Sequence, residues 1–496
     1  MRTKLLAKLC VLTAIMCCPV SAADAADVVL SGRIDGSAHE RYIELPFDVP
    51  AGTGRITVAF DYSGREARTT IDLGLIDPQG IRGWSGGNKR MFTVADDDAT
   101  PSYRAGPLAA GRWHLLLGVP NIRRGVVSDY TARIEFTPRD TLDLLPAALQ
   151  PVLREGPAWY RGDLHMHSAH SDASCPSQAG VRVPCPLFLS LQAASERQLD
   201  FVAVTEHNTA SHLMELRGLQ PYFDRLLLIP GMEVTTFQGH ANVFGLQAAL
   251  DFRVGDSVRD WNALLAEVGR RGLPLSVNHP AMPSDERCMG CGWNPAGGTD
   301  WSKVASVEVV NGGDAGTPVS GIPFWHARLD EGHRLTGVGG SDNHDASLHD
   351  STLGRSRIGA PTTVVHARSL SQQAILDGIR SGRVFIDLDG GGAALDLSAR
   401  HGDTTAVMGG DLALPAGAEA EFELQVSGAQ GARVELIVDG RIEALLADTD
   451  VATPAQTFRW RWRSDGARHW LRADVRADDG RLLLVGNPVY VNFPAP

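Results

Sequence analysis

Two residue pairs dominate the chemistry of this 496-residue chain: His165-x-His167, and Asp342-x-His344. In an extended strand, residues two apart point to the same face, so each doublet presents two side chains together. Imidazole and carboxylate together are a ligand set for divalent metals. Other stretches add single candidates: Asp172, His207 in Thr205-Glu206-His207, Glu233 in Gly231-Met232-Glu233, His240 after Gln238-Gly239, and His279 in Asn278-His279-Pro280. Glu206 and His207 must face opposite ways, and His207 is expected to face inward. Taken singly, each has an ordinary role: Asp172 caps a turn, Glu233 pairs with an arginine. Of the 16 histidines, however, six fall at the ends of successive strand-like runs beside acids, and that points to a metal centre. His170 lies inside the first motif, as an alternative ligand to Asp172 or a proton donor. Without thiolate, the set suits Zn²⁺, Mn²⁺ or Fe²⁺.

The elements that must position these residues lie between about 159 and 390. Apolar runs at 160–167, 201–207, 226–234, 241–246, 273–279, 306–311 and 335–344 end in polar residues and alternate with helical segments. One helix is expected over 258–271, with Val258, Trp261, Leu264, Leu265 and Val268 on one face, Ser257 as cap and Asp260 completing a capping box. Another is expected from Ser369, with Gln372 in the boxed position and a stop at Gly382. This alternation predicts an α/β fold, a barrel-like β/α domain with functional residues at its strand ends. Only a short link separates 226–234 from 241–246, which leaves no room for a helix, so the barrel should be irregular.

Short alternating runs broken by Gly, Pro and Asp occupy 27–137, the pattern of an antiparallel β-sandwich. The predicted organisation is a signal peptide over 1–22, a jelly-roll-like sandwich over 23–140, a proline-marked linker over 141–158, the metal-binding domain over 159–390 and a second sandwich over 391–496. The signal rests on Arg2, Lys4 and Lys8, a short apolar run over 9–18, and Val20-Ser21-Ala22 as a cleavage site. It predicts an exported chain, periplasmic or extracellular, with no transmembrane segment once mature. Four cysteines lie beyond it: Cys175, Cys185, Cys288 and Cys291. In an exported chain they suggest two disulfides, with three pairings open, or free thiols, rather than a zinc site. The net charge of −12 excludes a general nucleic-acid binder.

With these residues on the page, the chain resembles the PHP domain of the polymerase and histidinol phosphatase group. The matching motifs are His165-x-His167-x-x-x-Ser171-Asp172, Thr205-Glu206-His207-Asn208, Gly231-x-Glu233, Gly239-His240, Asn278-His279-Pro280 and Gly340-Ser341-Asp342-x-His344. Cys288-Met-Gly-Cys291-Gly-Trp293, Val307-Glu308-Val309-Val310-Asn311-Gly312 and Asn487-Pro488-Val489-Tyr490-Val491 are similar to the carbaryl-hydrolase-like CehA/McbA branch. Ala173 and Glu206 depart from the usual Gly and Asp. The resemblance implies a distorted seven-stranded β/α barrel holding two or three divalent metals. It assigns His165, His167, Glu233 and Asp342 to one metal, with Glu233 bridging to a second held by His240 and His279. A third takes Asp172, His207 and His344.

The function expected from this is hydrolysis of a small-molecule ester, a water activated by bridging metals attacking a phosphoester. Glu233, Asp342, His240 and His170 are the expected catalytic residues. The alternative is a carbamate or carboxyl-ester hydrolase. A metal-dependent binding protein without catalysis is the reading from another class. Ser171 and Ser341 sit beside ligands but in no nucleophile context.

Overall fold

In a computed structural model, the structure describes residues 27–139, 150–286, 288 and 290–493. The expected signal peptide lies outside the described residues, as does the 141–149 part of the expected linker. Among the described residues, no helix is long and apolar enough to cross a membrane.

Two four-stranded antiparallel sheets form the N-terminal region. One orders Val28–Asp35, Val127–Pro138, Thr53–Tyr62 and Met91–Ala95; the other orders Arg41–Val49, Gly111–Asn121, Thr70–Asp77 and Gly80–Gly86. Period-two alternation sends Ile56, Val58, Leu73, Leu75, Trp113 and Leu115 into the shared core, where all are fully buried.

The middle of the chain contributes to a fifteen-stranded mixed sheet. Phe201–Val204 pairs in parallel with Val152–Asp163 and with Leu227–Thr236. Leu275–Val277, Ser306–Asn311 and Thr336–Gly340 form a second parallel run. Between these runs the pairing is antiparallel: Gly239–Phe244 turns back on Leu227–Thr236 and pairs onward with Leu275–Val277. Thr362–Ser371 also runs antiparallel to Val152–Asp163. The sheet continues through Val384–Asp387 into the C-terminal strand Leu482–Gly486.

This overturns the expected α/β class and its seven-stranded β/α barrel. The described residues hold five α-helices against twenty-nine strands, arranged in several sheets. The molecule is therefore mostly β, built from packed sheets. The reason is local: the two expected helices form, but other connections between strands, such as 290–300 and 345–361, are mostly loop and turn and supply no crossover helix. Two boundaries shift as well. Residues 152–158, expected in the linker, belong to a strand, and the sheet runs unbroken past 390.

Helix ends also differ from expectation. Trp261–Arg270 is capped by Asp260, whose side chain accepts from Ala263 N at 2.8 Å, in place of Ser257. Gln372–Ser381 is capped by Ser371 rather than Ser369, and Gly382 ends it at φ 74°. At the C-terminus, the sheet containing Ala394–His401, Glu419–Ser427 and Ala455–Arg463 covers Leu397, Phe422, Ala473 and Leu484.

Candidate metal centre

The two ligand doublets lie side by side because the segments carrying them pair beyond the ends of their strands. Met166 and Asn343 form a parallel bridge. Asp342 N donates to His165 O at 2.8 Å, and His167 N to Asn343 O at 2.9 Å. Beneath them the buried carboxylate of Asp163 accepts from the backbone of His165, Ser341 and Gly359 at 3.1, 3.0 and 2.7 Å. Burial pushes its pKa up, opposed by these donors. His207 comes off Phe201–Val204 and bridges to Glu233 on Leu227–Thr236. His240 follows on the antiparallel strand, and Asn278 N donates to His240 O at 3.0 Å, which brings His279 alongside.

All nine expected ligands meet here in overlapping groups, each with ligand atoms within 4.8 Å of one another. One holds His167, Asp172, His207 and His344; a second His165, Glu233 and His279; a third His165, His167 and Asp342. His240 joins through His279, in a fourth group that also contains Cys291. The division differs from the one the resemblance implied, because His167 shares ligand space with the Asp172 group. Its ring lies between those of His207 and His344, with both centroids 4.2 Å away.

The spacing fits metal coordination. Metal–nitrogen bonds of about 2.0–2.1 Å put neighbouring ligand atoms roughly 3.0–3.4 Å apart. His165 Nε2 lies 3.4 Å from Glu233 Oε1 and 3.3 Å from Asp342 Oδ1; His279 Nε2 and His240 Nδ1 lie 3.4 and 3.3 Å from Glu233 Oε1. His344 Nε2 is 3.3 Å from Asp172 Oδ1. Buried His165 Nε2, which faces Glu233 and Asp342, has no hydrogen-bond partner, which is costly unless such an atom serves as a ligand. The donor set therefore fits a divalent ion.

Protonation follows from the same packing. Burial and the neighbouring His344 and His207 push His167 down to about 3, which keeps its lone pair free. Burial also opposes charge on His344, but Asp172 and Asp342 outweigh it and raise the pKa to about 9. Burial pushes Glu233 and Asp342 up, yet the surrounding imidazoles hold both well below the usual carboxylate range. A metal ion binding here competes with these protons.

Three further residues at the site are not among the expected ligands: Glu308 enters only as part of a motif, Glu206 is set aside for His207, and Cys291 reads as a disulfide or free thiol. Glu308 Oε1 lies 3.0 Å from His165 Nδ1, and its Oε2 accepts from His279 N and Asn311 Nδ2, both at 3.0 Å. An acid inside the wholly buried strand Ser306–Asn311 was its available signal. Glu206 is the second: it faces the 168–171 turn and accepts from Ser168 N and Ser171 Oγ. Cys291 is the third.

His170 does not join the centre. Its ring nitrogens lie 2.8 Å from Ser211 Oγ and 2.9 Å from Glu215 Oε2, so it neither replaces Asp172 nor faces the ligands. Ser341 Oγ donates to His165 O, a structural bond. Trp325 is core, and Trp293 packs against Trp261 at 4.5 Å. The cysteines pair as Cys175–Cys185 and Cys288–Cys291.

Three of the nine non-glycine residues with positive φ among the described residues sit at the centre: Asn208, His279 and Asp342. Such backbone persists only where its surroundings over-determine it. The centre opens on one side. His165 and His167 are fully buried, whereas the Asp172 side chain is 60% exposed. There a cavity of about 440 Å³ is lined by Asp342, His344, Asp345, Arg182 and Arg355.

No family model matches the chain, and no curated protein matches it either. Among solved structures, it is similar to the NMR structure of the CARDB domain of a Pyrococcus furiosus protein. The identity is 11%, over 21% of this chain and 97% of that one, with a TM-score of 0.15. So weak a likeness carries no argument about fold or function.

Proposed function

We propose that this protein is a metal-dependent hydrolase acting on phosphoesters, with a centre of the PHP type. The observation that carries the reading is the convergence of six imidazoles and three carboxylates at coordination spacing. His165, His167 and Asp342 would hold one ion with Glu233 beside them, His240 and His279 a second with Glu233 shared, and Asp172, His207 and His344, with His167 shared, a third. Divalent ions bound there supply Lewis acidity and lower the pKa of water. The protein's part is to fix geometry. Glu308 can only accept, so His165 carries its proton on Nδ1 and leaves Nε2 to donate its lone pair. Asn278 Nδ2 donates to Glu233 Oε1 at 3.0 Å, and Asn311 Nδ2 to Asp342 Oδ2 at 3.3 Å, orienting both carboxylates.

The cavity favours a phosphoester over a neutral ester. Arg182 is tied to Asp345 and Ser174, while the Arg355 side chain is 66% exposed and 3.8 Å from Asp345. A guanidinium at the open edge suits an anionic phosphoryl group. Export is part of the same reading, supported by the two cysteine pairs.

The test is a substrate panel on one metal-quantified preparation: p-nitrophenyl phosphate, bis-p-nitrophenyl phosphate, p-nitrophenyl acetate and an aryl carbamate. Metal-dependent cleavage of a phosphoester is expected, with Arg355→Ala raising its KM by roughly fivefold, the scale of an exposed ion pair. Cleavage of the acetate or carbamate alone overturns the phosphoester assignment, and inertness of the metal-loaded protein toward all four overturns catalysis.

A further inference from the structure

Cys291 stands where a ligand would stand. Its Sγ and one ring nitrogen from each of His240 and His279 lie within 4.8 Å of one another, and all three residues are buried. On each ring one nitrogen faces Glu233, and the other, His240 Nε2 and His279 Nδ1, is buried with no hydrogen-bond partner, so both rings have a second nitrogen that no protein group satisfies.

The loop is pressed onto both ligand-bearing turns. Trp293 N donates to Pro280 O at 3.0 Å, next to His279; Asn294 N donates to Gln238 O at 3.0 Å, two residues before His240. Ala296 N donates to Gln238 Oε1 at 2.9 Å, and Gly292 N to Ser284 Oγ at 3.0 Å. Gly290, at φ 81°, lies so close to Thr236 O that any Cβ would collide with it, and a Cβ on Gly292 would strike Met282 O. These contacts hold Cys291 in place independently of its bond to Cys288.

The two cysteines differ in access. Cys288 is exposed and Cys291 is 1% exposed. We propose that the Cys288–Cys291 pair is a redox device that decides whether Cys291 serves as a thiolate ligand to the metal held by His240 and His279. This rests on the metal reading above and adds a ligand to it.

The reductant is a dithiol. One of its thiolates attacks Cys288 Sγ; the Sγ–Sγ bond breaks and Cys291 leaves with the electron pair as a thiolate. The second thiol of the reductant then attacks its own sulfur in the mixed disulfide, expelling Cys288 as a thiolate that takes up a proton. Two electrons pass from the dithiol, which ends as a disulfide, to the protein. A buried thiolate is stabilised beside a dication, so metal at this corner favours the reduced state.

The experiment uses the full chain, stripped of metal and loaded with Co²⁺ in four forms: disulfide wild type, anaerobically reduced wild type, reduced Cys291→Ser, and Cys288→Ser, which leaves Cys291 free without a reductant. Cobalt uptake is quantified and the thiolate-to-cobalt charge-transfer band is read in the near ultraviolet. The band is expected in the reduced wild type and in Cys288→Ser. It should be missing from the disulfide form and from reduced Cys291→Ser, which still take up cobalt. Uptake without a Cys291-dependent band in both reduced wild type and Cys288→Ser overturns the proposal while leaving the metal centre standing. Failure of every form to take up cobalt overturns the metal centre itself.

Discussion

Glu308 shows how much of a metal centre lies outside its ligands. Its carboxylate orients His165 through Nδ1 and anchors the backbone of His279, so one side chain positions ligands from two segments. Glu308→Gln keeps the volume but loses the charge and one acceptor. Such orienting partners are worth about 10–100-fold in metal affinity. Competition with a fluorescent chelator should show zinc binding weakened on that scale, with the thermal midpoint of the metal-free protein little changed. Unchanged affinity would mean that Glu308 serves packing only. The convergence of the candidate ligands was legible in the sequence because two-residue spacing and strand-end placement are strong joint signals, as in His165-x-His167. His170 was misjudged because proximity in sequence says nothing about which partner claims a ring, here Ser211 and Glu215. Glu308 and Cys291 come from the strand Ser306–Asn311 and from the segment before Trp293; an acid in an apolar run and a Cys-x-x-Cys pair mark them locally, but no local pattern says which distant segments they meet.

At the scale of elements, strand positions were readable and their connections were not. Alternation marks Val127–Pro138, Gly111–Asn121 and Glu419–Ser427 because one face of each meets a core and the other is more exposed. In the middle region the strands are buried on both faces, as in Gly239–Phe244 and Thr336–Gly340, so periodicity fades. Strand ends with polar residues then resemble a β/α unit whether or not a helix follows. Among the described residues only five α-helices form, and the antiparallel turn from Leu227–Thr236 into Gly239–Phe244 replaces a crossover. Helix caps were off by two or three residues because several hydroxyl and carboxylate side chains precede each helix. Backbone geometry, with Asp260 at φ −159° and Ser371 at φ −143°, selects among them.

At the scale of the whole molecule, one carboxylate joins the N-terminal sandwich to the region that carries the centre. Asp98, with no exposed side-chain surface, accepts from Arg55 Nη1 at 2.8 Å within the sandwich. It also accepts from Arg217 Nε at 2.9 Å, on the helix Leu213–Leu219. Burial pushes the Asp98 carboxyl up, but Arg217 and Arg55 outweigh it and hold it below its ordinary value. A depressed folded pKa gives stability that is present above the unfolded value, about 3.9, and lost as pH falls through the folded one. Asp98→Ala removes the one carboxylate shared by two guanidinium groups and should cost about 3–5 kcal/mol, the scale of a broken buried pair. Urea unfolding at pH 7 checks this, and the difference from wild type should shrink below pH 4. A variant of wild-type stability at pH 7 would show that the clamp contributes nothing.

The central claim is that the converging histidines and carboxylates hold catalytic metal. Its most direct measurement is the metal content of the purified full chain by plasma mass spectrometry. Turnover of p-nitrophenyl phosphate is followed on the same samples before and after chelation, for wild type and His165→Ala. More than one equivalent of divalent metal per wild-type chain is expected, with loss of turnover on chelation, recovery on adding metal back, and little metal and no turnover in His165→Ala. Turnover that survives complete chelation, or a His165→Ala variant as active as wild type, would contradict it.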